Sequence, residues 1–249
     1  KAILPPLEFI SVYATHYNLA NFINMPIVAI IAVAGPLVAR YIGEKNEDKL
    51  AHIYKSSSTI MLLLGCFLTA GIMFNMESIY ELMANGDAYR SGFMVFVFLG
   101  LAKLFDMATG LNSQIIGYSK YYKFNFYSVM ILGLLNTVFN YVLIHRMGIS
   151  GAALATLISM TLFNVIKLWY VKKKFGIWPF TMKDLYIILI TLGLGILVYF
   201  IPAGDNNYVQ IIIRSGIFTV LFWVIAIRFD FSPQVTVYFW GLVRRVKGN

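Results

Sequence analysis

Lys103 and Asp106 stand three residues apart in the run GFMVFVFLGLAKLFDMATGLN, residues 92–112, which is otherwise uncharged. Such a run is apolar enough to lie in hydrocarbon, where a lysine or aspartate costs about 2.5–3.5 kcal/mol at the centre of a spanning helix. The i,i+3 spacing puts both charges on one helix face, close enough to pair. Two readings follow. The patch faces a cavity and serves a coupling ion or an anionic substrate group, or it is an intrahelical pair that only lowers the cost of insertion.

A second polar feature lies upstream. Ser11, Thr15, Asn18, Asn21 and Asn24 recur at steps of four, three, three and three, which keeps them on one face of a helix. Side-chain amides do not face lipid without a partner, so the stripe either lines an aqueous cavity or bonds to neighbouring helices. Asn112 and Gln114, the i,i+4 pair Asn136 and Asn140, and Asn164 extend the same chemistry to other segments. Each of these alone is more often interhelical glue. From these residues the candidate substrate or ion cavity comprises Thr15, Asn18, Asn21, Lys103, Asp106, Asn112, Gln114 and Asn140. Asp106 reads as the one carboxylate within the membrane.

Other chemistry is sparse. Cys66 is the single cysteine and sits in an apolar run, so there is no disulfide framework or redox pair. His16, His52 and His145 are scattered and lie near no cysteine or carboxylate cluster at metal-ligand spacing, and no metal site is expected. His16 falls beside the Asn stripe and reads as structural; a membrane acyltransferase using it is the enzymatic alternative. There is no HExxH, P-loop, GxSxG or Asp-x-Asp motif. The expectation is a protein without catalysis or cofactor, whose transport would be secondary.

The elements that must carry these residues follow from composition. The 249 residues are 59% hydrophobic and 12% charged, with a mean hydropathy of +0.75. Soluble domains carry about 25% charged residues, so this is a membrane chain. The net charge of +9 is expected to face lipid headgroups, not nucleic acid. Apolar runs predict seven spans, at about 9–42, 58–76, 91–116, 123–145, 149–172, 185–202 and 208–228, with a kink at Pro26. Small residues at 148, 152, 156 and at 151, 155, 159 form ridges that suit close helix packing. With seven spans, fifteen Lys and Arg, Lys167 among them, fall on one side and four on the other, Lys103 standing apart. By the positive-inside rule the C-terminus is cytoplasmic and the chain starts outside. An outside start at Lys1 with no signal peptide leads us to expect a C-terminal part of a longer protein. The segment 232–248, apolar and then basic, reads as an interfacial helix or a frayed tail.

The stretches KLFDMATGLNSQIIGYSKYYKFN (103–125) and MGISGAALATLIS (147–159), followed by KKKFGI (172–177), carry a resemblance. So do Pro36-Leu-Val-Ala-Arg40 and Ile53-Tyr-Lys-Ser-Ser-Ser58. In these the chain resembles the C-terminal half of polysaccharide biosynthesis proteins, the Wzx-type oligosaccharide-lipid flippases. Those belong to the multidrug/oligosaccharidyl-lipid/polysaccharide exporter superfamily. The likeness covers about residues 8–184. It implies an all-α integral membrane protein whose seven helices form the C-terminal bundle of a MATE-like, inverted-V transporter. Residues 1–184 would form the flippase bundle, 185–229 two additional spans, and 230–249 an interfacial basic tail. It implies flipping of a polyprenyl-pyrophosphate-linked oligosaccharide across the bacterial inner membrane by alternating access. Na⁺ or H⁺ would drive the cycle. Implied partners are that glycolipid, membrane lipids, the missing N-terminal bundle and a polysaccharide polymerase. This half alone would not transport. Within the superfamily a lipid II flippase or a drug exporter are the alternatives, and a non-transporting subunit of an envelope machine is a third.

Overall fold

A computed structural model describes residues 7–201, 206–233 and 236–237, and these form helices and no strand. The expected tail helix falls almost wholly outside the described residues.

The first helix, α1 (Leu7–Gly43), follows from the longest uncharged run, and Pro26 and Pro36 lie within it. At its end Arg40 Nε donates to Glu44 at 2.6 Å. That bond holds the exposed Glu44 carboxyl below the usual range.

Helix α2 (Glu47–Met73) starts well before the expected span at 58. Asn46 caps it by accepting from the Lys49 backbone N–H, and Glu47 and Asp48 sit in the first turn, where the helix dipole favours negative charge. Its polar first turns therefore extend the helix beyond its apolar part.

Two short helices, α3 (Met76–Leu82) and α4 (Gly86–Arg90), make the next connection. Arg90 gathers Glu77 at 2.5 Å, Asp87 at 2.7 Å and also Glu81.

The third expected span, 91–116, is not one helix. It breaks into α5 (Phe93–Ala108) and α6 (Asn112–Gly117). Gly110 sits between them at φ 66°, a left-handed conformation open chiefly to glycine. A Cβ there would meet Ser58 Cβ at 3.1 Å, so the break also needs the close approach of α2. The Ser58 hydroxyl donates to the Ala108 carbonyl at the end of α5.

The fourth and fifth spans run together as α7 (Lys123–Phe175), interrupted at Gly148 (φ 58°, ψ −135°). The expected turn over 146–148 thus contracts to one non-helical glycine between two arms, 123–147 and 149–175. Gly176 ends the second arm at φ 68°, its N–H reaching the Lys172 carbonyl.

Helix α8 (Met182–Tyr199) opens with a capping box of Thr181 and Asp184. Helix α9 (Asn207–Arg228) is capped by Asn206, which accepts from the Tyr208 and Val209 N–H groups. Arg214, near its start, reaches back to the Ile201 carbonyl at 3.4 Å.

Five of these helices, α1, α2, α7, α8 and α9, are long and apolar enough to cross a membrane. Counting the arms of α7 separately, and α5 with α6 as one broken crossing, the helical segments align with the seven apolar runs. Two cores hold them. Ile23, Tyr54, Phe96, Leu99 and Ile115 join α1, α2, α5 and α6, and Leu168 and Val171 bring in the second arm of α7. Leu63, Cys66, Ile187, Phe218 and Phe222 join α2, α8 and α9. Gly151, Ala155 and Ser159 of the small-residue ridges are buried. The first arm of α7 exposes Phe126, Met130, Leu134 and Tyr141, and α8 exposes Leu192 and Ile196. Such broad apolar surface suits a lipid solvent.

Candidate functional site

Lys103 and Asp106 share α5 but make no ion pair. The Lys103 ammonium instead lies over the Tyr17 ring of α1, 5.6 Å from its centroid, a cation–π contact. Asp106 turns to α7, where Asn164 Nδ2 donates to its Oδ1 at 3.0 Å. The expected pair is corrected on this point: each charge finds a partner on a different helix, so the i,i+3 geometry is not used.

Asn164 is the centre of a buried polar cluster. Its Oδ1 accepts from Thr109 Oγ1 at 3.2 Å and from Asn112 Nδ2 at 3.5 Å. Thr109 lies in the α5–α6 break and Asn112 opens α6. One amide on the second arm of α7 thus holds three groups around the break. Ser113 Oγ donates to Asn112 Oδ1 at 3.2 Å, and Asn125 Nδ2 donates to the Ser113 carbonyl at 2.7 Å.

Lys167 completes the cluster. It was counted above with the cytoplasmic charges, but it is only 2% exposed, inside the bundle. One helical turn from Asn164, its Nζ donates to Ser113 Oγ at 2.6 Å and lies 4.1 Å from the Phe163 ring centroid. Spacing could have revealed it: Asn164 and Lys167 are i,i+3 in an apolar run, five residues ahead of the basic run Lys172–Lys174.

The stripe on α1 behaves differently. Asn18 is exposed, Thr15, Asn21 and Asn24 are half-buried, and Ser11 bonds back to the Glu8 carbonyl. Among the described residues no hydrogen bond joins Asn18 or Asn21 to another helix. Gln114 is half-buried on α6. Asn140 donates to Asn136 at 2.7 Å along the first arm of α7, a bond within one helix and remote from the cluster. The structure therefore brings Asp106, Asn112, Asn164 and Lys167 together, and places Lys103 beside the outward-facing stripe of α1.

Three further features complete the polar inventory. His16 is fully buried, its Nδ1 at 2.7 Å from the Val12 carbonyl and its Nε2 at 2.7 Å from the Tyr80 hydroxyl. Nδ1 bonds within α1, and Nε2 ties α1 to α3. Asp184, in the first turn of α8, is a buried carboxylate, whereas Asp106 is half-buried. Asp184 accepts from Thr59 Oγ1 at 2.8 Å and from the Thr181 N–H and hydroxyl, tying the start of α8 to α2. An apolar cavity of about 690 Å³, lined by Cys66, Met73, Leu104, Thr191 and Ile196 among others, lies between α2, α5 and α8.

Comparison with known proteins gives one match. The family model described as MatE fits residues 4–142, more than half of the chain. No curated protein and no solved structure matches.

Proposed function

The chain belongs to the MatE family, transporters of the multidrug/oligosaccharidyl-lipid/polysaccharide exporter superfamily, and from that premise we propose that it is the C-terminal bundle of a flippase. Its cargo is an oligosaccharide linked through pyrophosphate to a polyprenyl lipid, carried across the bacterial inner membrane by alternating access. The observation that carries this reading is Lys103. Its ammonium is half-buried over Tyr17 and makes no ion pair, and Tyr17 stands on the helix that carries Asn18 and Asn21. A cation in no ion pair, facing the amide-bearing helix α1 from an apolar segment, suits an anionic headgroup with attached sugars.

A drug exporter of this superfamily would need a carboxylate open to a cationic substrate. Asp106 takes the Asn164 amide and Asp184 caps α8, which favours the glycolipid reading. The ring nitrogens of His16 bond to Val12 and Tyr80, which favours a packing role over an acyltransferase. The outward-facing stripe of α1 needs a polar neighbour, and a second bundle of the same transporter meets that need, with the hollow between them. Membrane lipids cover the apolar faces, the C-terminus is cytoplasmic, and a polysaccharide polymerase receives the flipped product.

The test is a strain lacking the gene. Lipid-linked oligosaccharide should accumulate on the cytoplasmic leaflet, and full-length protein should restore its export. A deletion strain with a normal leaflet distribution would refute the reading.

A further inference from the structure

The two ends of α7 meet. Phe124, in its first turn, stacks on Tyr170, with ring centroids 3.6 Å apart. Tyr121, just ahead of the helix, stands edge-on to Tyr170 and to Phe175, 5.9 Å from each. Its backbone N–H donates to Ser119 Oγ at 3.1 Å, so ring and backbone are both held. Two ammonium groups converge on this ring. Lys120 Nζ lies 5.3 Å from its centroid and Lys174 Nζ 5.1 Å from it. On the same rim Lys172 lies over Trp178 and Lys173 over Trp169, and Lys123 opens α7. All five lysines are exposed, and among the described residues none of them makes an ion pair. No Asp or Glu occurs from 107 to 183. Tyr122, Trp169 and Trp178 are exposed beside them.

Like charges gathered without a carboxylate repel one another, so this rim is complementary to an anion. Exposed tyrosine and tryptophan belong at the membrane–water interface, where the anions to hand are lipid phosphates. We propose that Lys120, Tyr121 and Lys174 form a binding site for the phosphate of an anionic phospholipid. The two ammonium groups take the phosphate oxygens, and Tyr121 holds them in place. The acyl chains run along the exposed Phe126 and Met130 of the first arm. Such a lipid ties the start of α7 to its end, two segments that the chain itself joins only through the interruption at Gly148. The inference rests on the membrane character of the chain and not on which cargo is carried.

The test titrates purified full-length protein in a neutral detergent with phosphatidylglycerol or phosphatidylcholine and reads the thermal unfolding midpoint. Phosphatidylglycerol should stabilise the wild type at a concentration about tenfold or more below that needed of phosphatidylcholine. The double variant Lys120→Gln with Lys174→Gln should lose this preference. Lys45→Gln with Lys55→Gln removes the same charge from two exposed lysines elsewhere and should keep it. Tyr121→Leu, with every lysine in place, should weaken the preference, and Tyr121→Phe should retain it. Equal response to the two lipids overturns the proposal, as does a preference that survives Lys120→Gln with Lys174→Gln. A preference lost just as fully with Lys45→Gln and Lys55→Gln would reduce it to general surface charge and overturns the site. Inorganic phosphate that reproduces the effect of phosphatidylglycerol also overturns it. Should Tyr121→Leu fail to accumulate, the lysine variants, all at exposed positions, decide the matter. Because the readout involves no glycolipid, a wrong cargo assignment would leave these results unchanged.

Discussion

The Asn164 amide donates to the Asp106 carboxylate at 3.0 Å, across 58 residues of sequence. This bond joins α5 to the second arm of α7 and leaves Lys103 free of its near neighbour in the chain. Asn164 is 1% exposed and also receives Thr109 and Asn112. Asn164→Leu would strip all three groups of their partner. Leaving a buried polar group unsatisfied costs about 1–3 kcal/mol, so the thermal midpoint of the full-length protein should fall by several degrees. Asn164→Asp would add a second carboxylate beside Asp106 and should be at least as harmful. A midpoint unchanged by Asn164→Leu would show that the cluster contributes nothing to holding the break.

The two glycines of the first α7 arm and its end should respond with opposite signs. Gly148 has φ 58° and ψ −135° with open space around it, so alanine there meets no neighbour but must adopt a forbidden backbone. Gly148→Ala should destabilise by about 1–3 kcal/mol. Gly133 is helical and equally open, and Gly133→Ala should be neutral or stabilise by up to about 1 kcal/mol. Unfolding midpoints of the two variants, compared in one detergent, check the sign.

Much of this architecture was legible because hydrocarbon tolerates so little polarity. The uncharged runs locate α1, α8 and α9 to within a few residues. The start of α2 was not legible from hydropathy, because Asn46, Glu47 and Asp48 build a capped helix outside the apolar part. The break at Gly110 depends on Ser58, fifty residues away in sequence from Ala108, and no local pattern reports it. Lys103 and Asp106 were visible as charges in an apolar run. Their partners, Tyr17 and Asn164, belong to other helices, and spacing along one helix cannot choose between a near neighbour and a distant one. Lys167 and Asp184 were hidden by the loop charges beside them, Lys172–Lys174 and Lys183.

Asp184 offers a cleaner test of interhelical coupling. It accepts from Thr59 at 2.8 Å and from Thr181 within its own helix cap. Thr59→Val should cost about 1–2 kcal/mol, since a buried carboxylate loses one of its donors. Asp184→Ala should cost more, because the cap of α8 goes too. A double-mutant cycle with the two changes should give a coupling of about 1 kcal/mol. Simple additivity would mean that the bond between α2 and α8 is not made.

His16 and Tyr80 bear on the enzymatic alternative. Tyr80→Phe leaves the buried His16 Nε2 without its partner and should lower stability by about 1–3 kcal/mol. Export of the glycolipid, measured at equal membrane protein, should be unchanged. Loss of export at a normal protein level would give His16 a role beyond packing.

Lys103 carries the substrate reading. Lys103→Ala in the full-length protein should reduce glycolipid export several-fold without lowering the amount of protein in the membrane, and Lys103→Arg should retain most of it. Disappearance of the Lys103→Ala protein from the membrane would make the Tyr17 contact structural.

The most direct measurement is aqueous access to the outward-facing polar side of α1 and α5. Single cysteines at Asn18→Cys, Asn21→Cys and Lys103→Cys, in an otherwise cysteine-free full-length transporter in membranes, are treated with a bulky water-soluble maleimide. A water-filled hollow beside this bundle requires labelling at all three positions. Silence at all three, in protein that still exports its cargo, would contradict the account.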